Sequence, residues 1–269
     1  MGSGGTPGAT ARETSEVCWT SASRSHPGRV REVNEDACLE QPLCGVWAVA
    51  DGMGGHSLGE FASRLAIRSL MDLPPSGTLE QRAALVEARL LEANRRLRAE
   101  AARRDVPVIG TTIAALLVAQ RRFACVWAGD SRVYLYREGR LWQLTRDHSQ
   151  LEAVRSVHVA SSDDTLDRPA ANVITRALGG GDSLELDAVG ADLADGDVFL
   201  LCSDGLTNEV GDVAIMQALM PGNCRLAADA LVELALERGG HDNITVVVAR
   251  AEDLSSPDRT VLHPVMKAD

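Results

Sequence analysis

Four short stretches, VWAVADG, CVWAGDS, VFLLCSDG and GGHDNI, each set an aspartate at the edge of an apolar run: Asp51, Asp130, Asp204 and Asp242. A carboxylate leaving a buried strand must be hydrogen-bonded, paired or bound to a cation, because burying it bare is costly. No basic residue stands beside most of the four in sequence. If their strand ends meet, like charges raise one another's pKa unless divalent cations neutralise the cluster. An all-oxygen donor set without paired Cys or His favours hard ions, Mg²⁺ or Mn²⁺ before Zn²⁺. Gly52, having no side chain, lets its own carbonyl approach such an ion. Any single aspartate before Gly or Asn reads equally well as a turn former. Asp51, Asp204 and Asp242 together with Gly52 exceed what turns alone explain.

These residues need a framework, and the pattern supplies blocks of strands alternating with pairs of helices. VCWTSASR, ACLEQ and GVWAVAD read as neighbouring strands. Ser57-x-x-Glu60 reads as a capping box opening a helix to about Met71, and Thr78-x-x-Gln81 as another opening a helix to about Arg104. TTIAALLVAQ, FACVWAGD, RVYLYREG and LWQLT are strands, with Glu138-Gly139 as a hairpin turn. The polar stretch Asp147 to Ala171 reads as a surface flap carrying His148 and His158, where substrate selection is expected. DVFLLCSD resumes the sheet, helices follow over Val213–Met220 and Arg225–Arg238, and NITVVVARA closes the core. Trp47, Trp127 and Trp142 are expected to pack in the core or on a sheet surface. With no βαβ repeat, this is an α+β layered architecture of mainly antiparallel sheets.

Composition bounds the rest. The 269 residues, 45% hydrophobic and 24% charged, suit one soluble domain with disorder confined to the ends. The domain is expected over 16–252, with a disordered lead over 1–15 and a loose tail over 253–269. A net charge of -11 repels a phosphate backbone, which excludes nucleic acid as a partner. The six cysteines form no C-x-x-C pair and read as buried free thiols in a reducing compartment. No signal-peptide core and no membrane-length apolar run stands in the chain, so a cytoplasmic location with no membrane association is expected.

Taken in order, RVREVNEDA, VADGMGGH, GTT, AGDSRVYLY, DHS, ITRALG, CSDGLTNEV and HDNITVVV resemble the metal-dependent serine/threonine protein phosphatases of the PPM family, the type 2C class, in its bacterial form. The resemblance runs from about Ser21 to Ala251. It implies an α-β-β-α sandwich, two antiparallel sheets face to face with a helix pair outside each. It implies that Asp51 bridges two Mn²⁺ or Mg²⁺ ions, that Asp204 and Asp242 complete the shell of the first, and that the Gly52 carbonyl joins the second. Glu35 and Asp36 would hold waters on those ions, Asp130 would serve a weaker third ion, and Arg31 would bind the substrate phosphate with its guanidinium fork.

Two positions depart from the family pattern. Asn208 stands where many relatives carry an aspartate of the third site, and Met53 where eukaryotic relatives often have a proton-donating histidine. His56 is the nearest substitute donor, against its plainer reading as a loop residue. The implied reaction is hydrolysis of phosphoserine or phosphothreonine in proteins by a water acidified between two metals. The opening block is similar to phosphatases that oppose a serine/threonine kinase in bacterial type VI secretion control, and a monomer is expected. The alternative is a catalytically silent phosphatase fold used as a regulatory binding module, which predicts loss of the metal carboxylates; here the main set is intact. Another two-metal hydrolase would ordinarily add metal-binding histidines or a basic surface, which the motifs lack.

Overall fold

The computed structural model describes residues 17–54, 58–149, 152 and 174–253. Its first sheet runs in the order β1 (Val17–His26), β11 (Ile244–Asp253), β10 (Val198–Cys202), β7 (Arg132–Arg137), β8 (Arg140–Gln143). The second runs β2 (Asp36–Gln41), β3 (Val46–Met53), β5 (Ile113–Ala119), β6 (Arg122–Ala128), β9 (Asp187–Asp192), with the two-residue β4 (Gly110–Thr111) on the end of β3. Every named strand pairing is antiparallel. The central strands β5 and β10 are buried at every position, as strands covered on both faces must be.

Three apolar layers hold the sandwich. Trp47, Phe123, Trp127, Phe199, Leu201 and Val247 interlock between the sheets, with Trp19 against Trp47 at 4.7 Å and Phe123 edge-on to Phe199 at 4.9 Å between ring centroids. Helices α1 (Leu58–Leu70) and α2 (Leu79–Arg104) cover the outside of the second sheet through residues such as Leu70, Leu90 and Leu97. Beyond the first sheet, α4 (Asp212–Leu219) and α5 (Cys224–Glu237) do the same through Ile215, Leu219 and Leu231. The single-turn α3 (Asp204–Thr207) sits between β10 and α4. This is the expected α-β-β-α sandwich.

Local signals held where the chemistry was strongest. Thr78 and Gln81 make both bonds of the capping box. Glu138 and Gly139 close the β7–β8 hairpin, both with positive φ, as a two-residue turn of the primed type requires. The last helix pair begins and ends one residue earlier than the pattern suggested, with the Asn223 side chain accepting from Leu226 N to cap α5. Strand β9 was not expected: with Gly190 in its middle, an acid at each end and its apolar residues small or exposed, it has no clear strand signal, and its pairing to β6 supplies the structure. Ser57, the proposed cap of α1, lies outside the described residues, as do His158, most of the flap and both terminal segments.

His148 corrects the flap expectation. It is buried, stacks on Trp127 and accepts from Gly129 N at 3.2 Å through Nδ1, while Nε2 faces Asp187 at 3.2 Å. A ring with one accepting and one donating nitrogen belongs inside, bracing the turn that carries Asp130. The thiols also need correction: all six are free, but only Cys125, Cys202 and Cys224 are buried, and Cys18 is exposed on the edge strand β1. Trp47 and Trp127 are buried, while Trp142 lies on the surface of the edge strand β8.

One buried ion pair fixes the approach to β10. Asp197, fully buried, receives both Nε and Nη2 of Arg137 at 2.6 Å and the backbone N of Ala194 at 2.8 Å. Removing the carboxylate takes the acceptor from Ala194 N and from two N–H groups of Arg137, so Asp197→Ala is expected to cost about 3 kcal/mol. Calorimetry should then show a melting temperature lower by roughly 6–12 °C, and an unchanged melt would contradict the assignment.

Candidate metal centre

Asp36 opens β2 and stands directly across the ladder from Asp51 near the end of β3. Ser203 Oγ donates to Asp36 Oδ2 at 2.8 Å, leaving Oδ1 buried with no partner. Asp51 is gripped by its backbone: its N donates to Thr112 Oγ1 at 2.9 Å, and its carbonyl accepts from Thr112 N and Thr111 Oγ1, both at 2.9 Å. Thr112 Oγ1 in turn meets Ser131 Oγ at 2.7 Å, which ties β3 to the turn carrying Asp130.

Gly52 follows in a crevice that admits no side chain; a Cβ there would lie 2.1 Å from the Gly59 carbonyl oxygen and 2.7 Å from that of Glu35. Glu35 is anchored by its N donating to Asn243 Oδ1 at 2.8 Å, and its Oε1 accepts from Gly59 N at 3.2 Å in the first turn of α1. Asn243 also donates to the Pro27 and Val33 carbonyls at 2.9 Å each, so one side chain shapes the whole 27–35 loop.

From segments flanking the first sheet come the other two carboxylates. Asp204 is the first residue of α3 rather than the end of a strand, and Asp242 lies two residues before the start of β11. Asp242 Oδ2 receives Arg31 Nη2 at 2.9 Å. Asn208, at the end of α3, donates its amide to Asp204 Oδ2 at 3.0 Å, so its NH₂ faces the carboxylate as a donor.

The electrostatics show that these groups share one space. Burial pushes Asp36 up to about 7, with hydrogen bonds from Thr245 and Ser203 opposing and the charges of Asp204 and Asp242 adding. Asp130 is likewise pushed up to about 7 by burial and by Asp204 and Asp147. Burial and then Asp36, Asp204 and Asp130 hold Asp51 well above the ordinary carboxylate range. Asp204 is raised by burial and by the charge of Asp242, against the hydrogen bond from Asn208. Burial also raises Glu35, against the hydrogen bond from Gly59 and the Arg31 charge.

Three carboxylate oxygens from separate elements, Oδ1 of Asp36, Asp130 and Asp204, are buried without a hydrogen-bond partner. Native proteins rarely leave such atoms unsatisfied. Among the described residues, no three His, Cys, Asp or Glu side chains are already drawn up as an ion cage. The orphaned oxygens, the all-oxygen donor set and the open crevice at Gly52 fit hard divalent cations.

The structure therefore brings Arg31, Glu35, Asp36, Asp51, Gly52, Asp130, Asp204 and Asp242 to one end of the sandwich. His56 lies outside the described residues. Met53 turns instead into a neighbouring pocket of about 480 Å³ with Val108, Ile174 and Leu184. Sequence reasoning gave no role to Ser203, Thr112 or Asn243, although Asn243 follows a candidate ligand and GTT was among the motifs quoted.

The family described as Protein phosphatase 2C matches residues 24–234. Serine/threonine protein phosphatase PstP of Mycobacterium tuberculosis is 38% identical over 236 residues, which is 86% of this chain and 45% of PstP; the chain thus spans less than half of that relative. Serine/threonine phosphatase stp of Listeria monocytogenes is 34% identical over 249 residues, 88% of this chain and 97% of stp. Among solved structures, PppA, described as a key regulatory component of T6SS in Pseudomonas aeruginosa, superposes with a TM-score of 0.82 at 40% identity, covering 88% of this chain and 100% of PppA. The PstP catalytic domain in complex with two manganese ions gives a TM-score of 0.79 at 37% identity, covering 88% of this chain and 100% of the domain.

Proposed function

The chain belongs to the protein phosphatase 2C family, and from that premise we propose that it hydrolyses phosphoserine and phosphothreonine in proteins with the help of two divalent cations. The observation that carries the proposal is the set of three buried, unpartnered carboxylate oxygens contributed by β2, α3 and the β6–β7 turn. Asp51, Asp204, Asp242 and the Gly52 carbonyl would hold the ions directly, Glu35 and Asp36 through water, and Asp130 a weaker third. Two Mn²⁺ or Mg²⁺ ions held there supply Lewis acidity, acidifying water and neutralising charge on a phosphoryl group. The PstP catalytic domain, similar over its whole length, is the one solved with two manganese ions.

The chain's own groups do the rest. Arg31 projects from its loop with more than half of its side chain exposed and only Nη2 engaged, on Asp242. Its remaining N–H groups can take two phosphoryl oxygens, which places the phosphorus beside the carboxylate cluster. Ser203 holds the Asp36 carboxylate, and Thr112 and Asn243 fix the backbones of Asp51 and Glu35, each by a hydrogen bond. His56 is the proton donor we propose for the leaving alkoxide.

The partner we propose is a serine/threonine kinase whose phosphorylation this enzyme reverses in the cytoplasm. Similarity to PppA favours a place in type VI secretion. No described helix is long and apolar enough to cross a membrane. A silent binding module is disfavoured because the main set of carboxylates, Asp51, Asp204 and Asp242, is intact.

The test is phosphate release from a phosphothreonine peptide. Chelation is expected to abolish turnover and added Mn²⁺ to restore it; turnover that survives chelation would overturn the proposal. Saturating Mn²⁺ should also raise the melting temperature by about 5–10 °C, the shift expected from a ligand at about 100 times its Kd.

A further inference from the structure

On the rim of the centre, Glu209 and His241 make a contact that no role above uses. Glu209 follows α3, the turn that begins at Asp204, and His241 precedes Asp242. Glu209 Oε1 accepts from the His241 ring Nδ1 at 2.6 Å and from the His241 backbone N at 3.4 Å. The backbone carbonyl of Glu209 accepts from Arg238 Nη1 at 3.1 Å. Both ends of the segment 238–241 are thus tied to one residue.

Between those ends the chain turns through Gly239 (φ +144) and Gly240 (φ +56), and a Cβ on Gly239 would lie 2.2 Å from Cε1 of the His241 ring. The ring therefore lies over bare backbone, a position only glycine leaves open. The Gly240 carbonyl accepts from Arg29 N at 2.7 Å, at the start of the stretch that carries Arg31. A bond at Glu209 consequently reaches three elements: the helix of Asp204, the loop of Asp242 and the loop of Arg31.

The carboxylates of Asp204 and Asp242 repel each other, and beyond the β10–β11 ladder the Glu209–His241 contact is a further tie between the segments that carry them. The Glu209 carboxylate is 12% exposed, whereas the His241 ring is 73% exposed and contributes little to any core. A pair with one partner this open to water adds little to overall stability, which leaves local geometry as its main effect.

We propose that Glu209 and His241 are a positioning pair that sets the separation of Asp204 and Asp242 and so the affinity of one cation position. This rests on the reading of those two aspartates as ion ligands.

Calorimetric titration of the chelator-stripped protein with MnCl₂ tests it. Glu209→Ala and His241→Ala are each expected to weaken one Mn²⁺ site about tenfold, the scale of loss typical for groups that orient ligands, while the other site keeps its affinity. The melting temperature of the metal-free protein should hardly move. Glu209→Gln, whose amide oxygen still accepts from the ring, should restore most of the affinity, and the double alanine variant should be no weaker than either single one. Wild-type affinity at both sites in Glu209→Ala, a glutamine variant as weak as the alanine one, or losses that multiply in the double variant would each overturn the pair's role. Asp242→Asn is the separate control: if it binds Mn²⁺ as the wild type does, the reading of the centre itself fails, whatever Glu209 does.

Discussion

Asp51→Asn is expected to lower kcat/KM on a phosphothreonine peptide by at least about a thousandfold, because it removes a charge from the middle of the carboxylate cluster where developing negative charge must be offset through bound cations. Asp36, Asp204 and Asp130 all act on Asp51 electrostatically, which no other member of the cluster matches for centrality. The same substitution should make the metal-free protein more stable. Burial and its neighbours hold the folded-state pKa of Asp51 well above its ordinary value of 3.8. Folding then takes up a proton, and stability falls as pH rises from the unfolded value through the folded one. Asparagine removes that loss, so at neutral pH the chelated variant should melt above the chelated wild type while losing the Mn²⁺-dependent rise. Melts and turnover measured side by side decide it; a variant less stable than the chelated wild type would show Asp51 to be structural rather than a site for cations.

Arg31→Ala should cost about a hundredfold in kcat/KM for the peptide and for a small aryl phosphate alike, since the lost contact is to the phosphoryl group itself. Arg31 is pulled toward the cluster by Asp242 first and by Asp51 and Glu35 at longer range, which raises its already high pKa and keeps it charged at every working pH. Arg31→Lys keeps the charge but loses the planar fork, so it should recover only part of the activity. The Mn²⁺ affinity of both variants should stay near that of the wild type, because Arg31 offers no donor to a cation. A variant with normal turnover of the aryl phosphate would remove Arg31 from the reaction.

The sequence was most legible where local chemistry and long-range packing agreed. The apolar runs ending at Asp51 and Asp130, and the one that starts just after Asp242, declared both the strands and the acids at their ends, because a buried strand has few reasons to adjoin a carboxylate. Asp204 was read as a strand end yet is the first residue of a helix that follows Ser203; one turn of helix is too short to register as a 3.6-residue period. Strand β9 escaped because its burial pattern is almost wholly exposed and β6 alone holds it in extended form. His148 looked like a flap residue because the polar residues after it mask its neighbour in space, Trp127, which lies 21 positions earlier in the chain. Asn243 and Glu209 were illegible for a related reason: each acts on segments far away in sequence, the former on 27–35 and the latter on 238–241.

The centre straddles the interface between the two layers. Asp36 and Asp51 face each other on the second sheet, while Asp204 and Asp242 lie just beyond the ends of β10 and β11 in the first. Cations seated there as proposed would clasp halves that otherwise meet mainly through apolar side chains, and would do so only after each ladder had settled in its correct register, since a slip of one residue turns a carboxylate to the opposite face. Manganese starvation would then shorten the protein's cellular lifetime as well as silence it: the unclasped halves open more often, and proteases harvest the opened form.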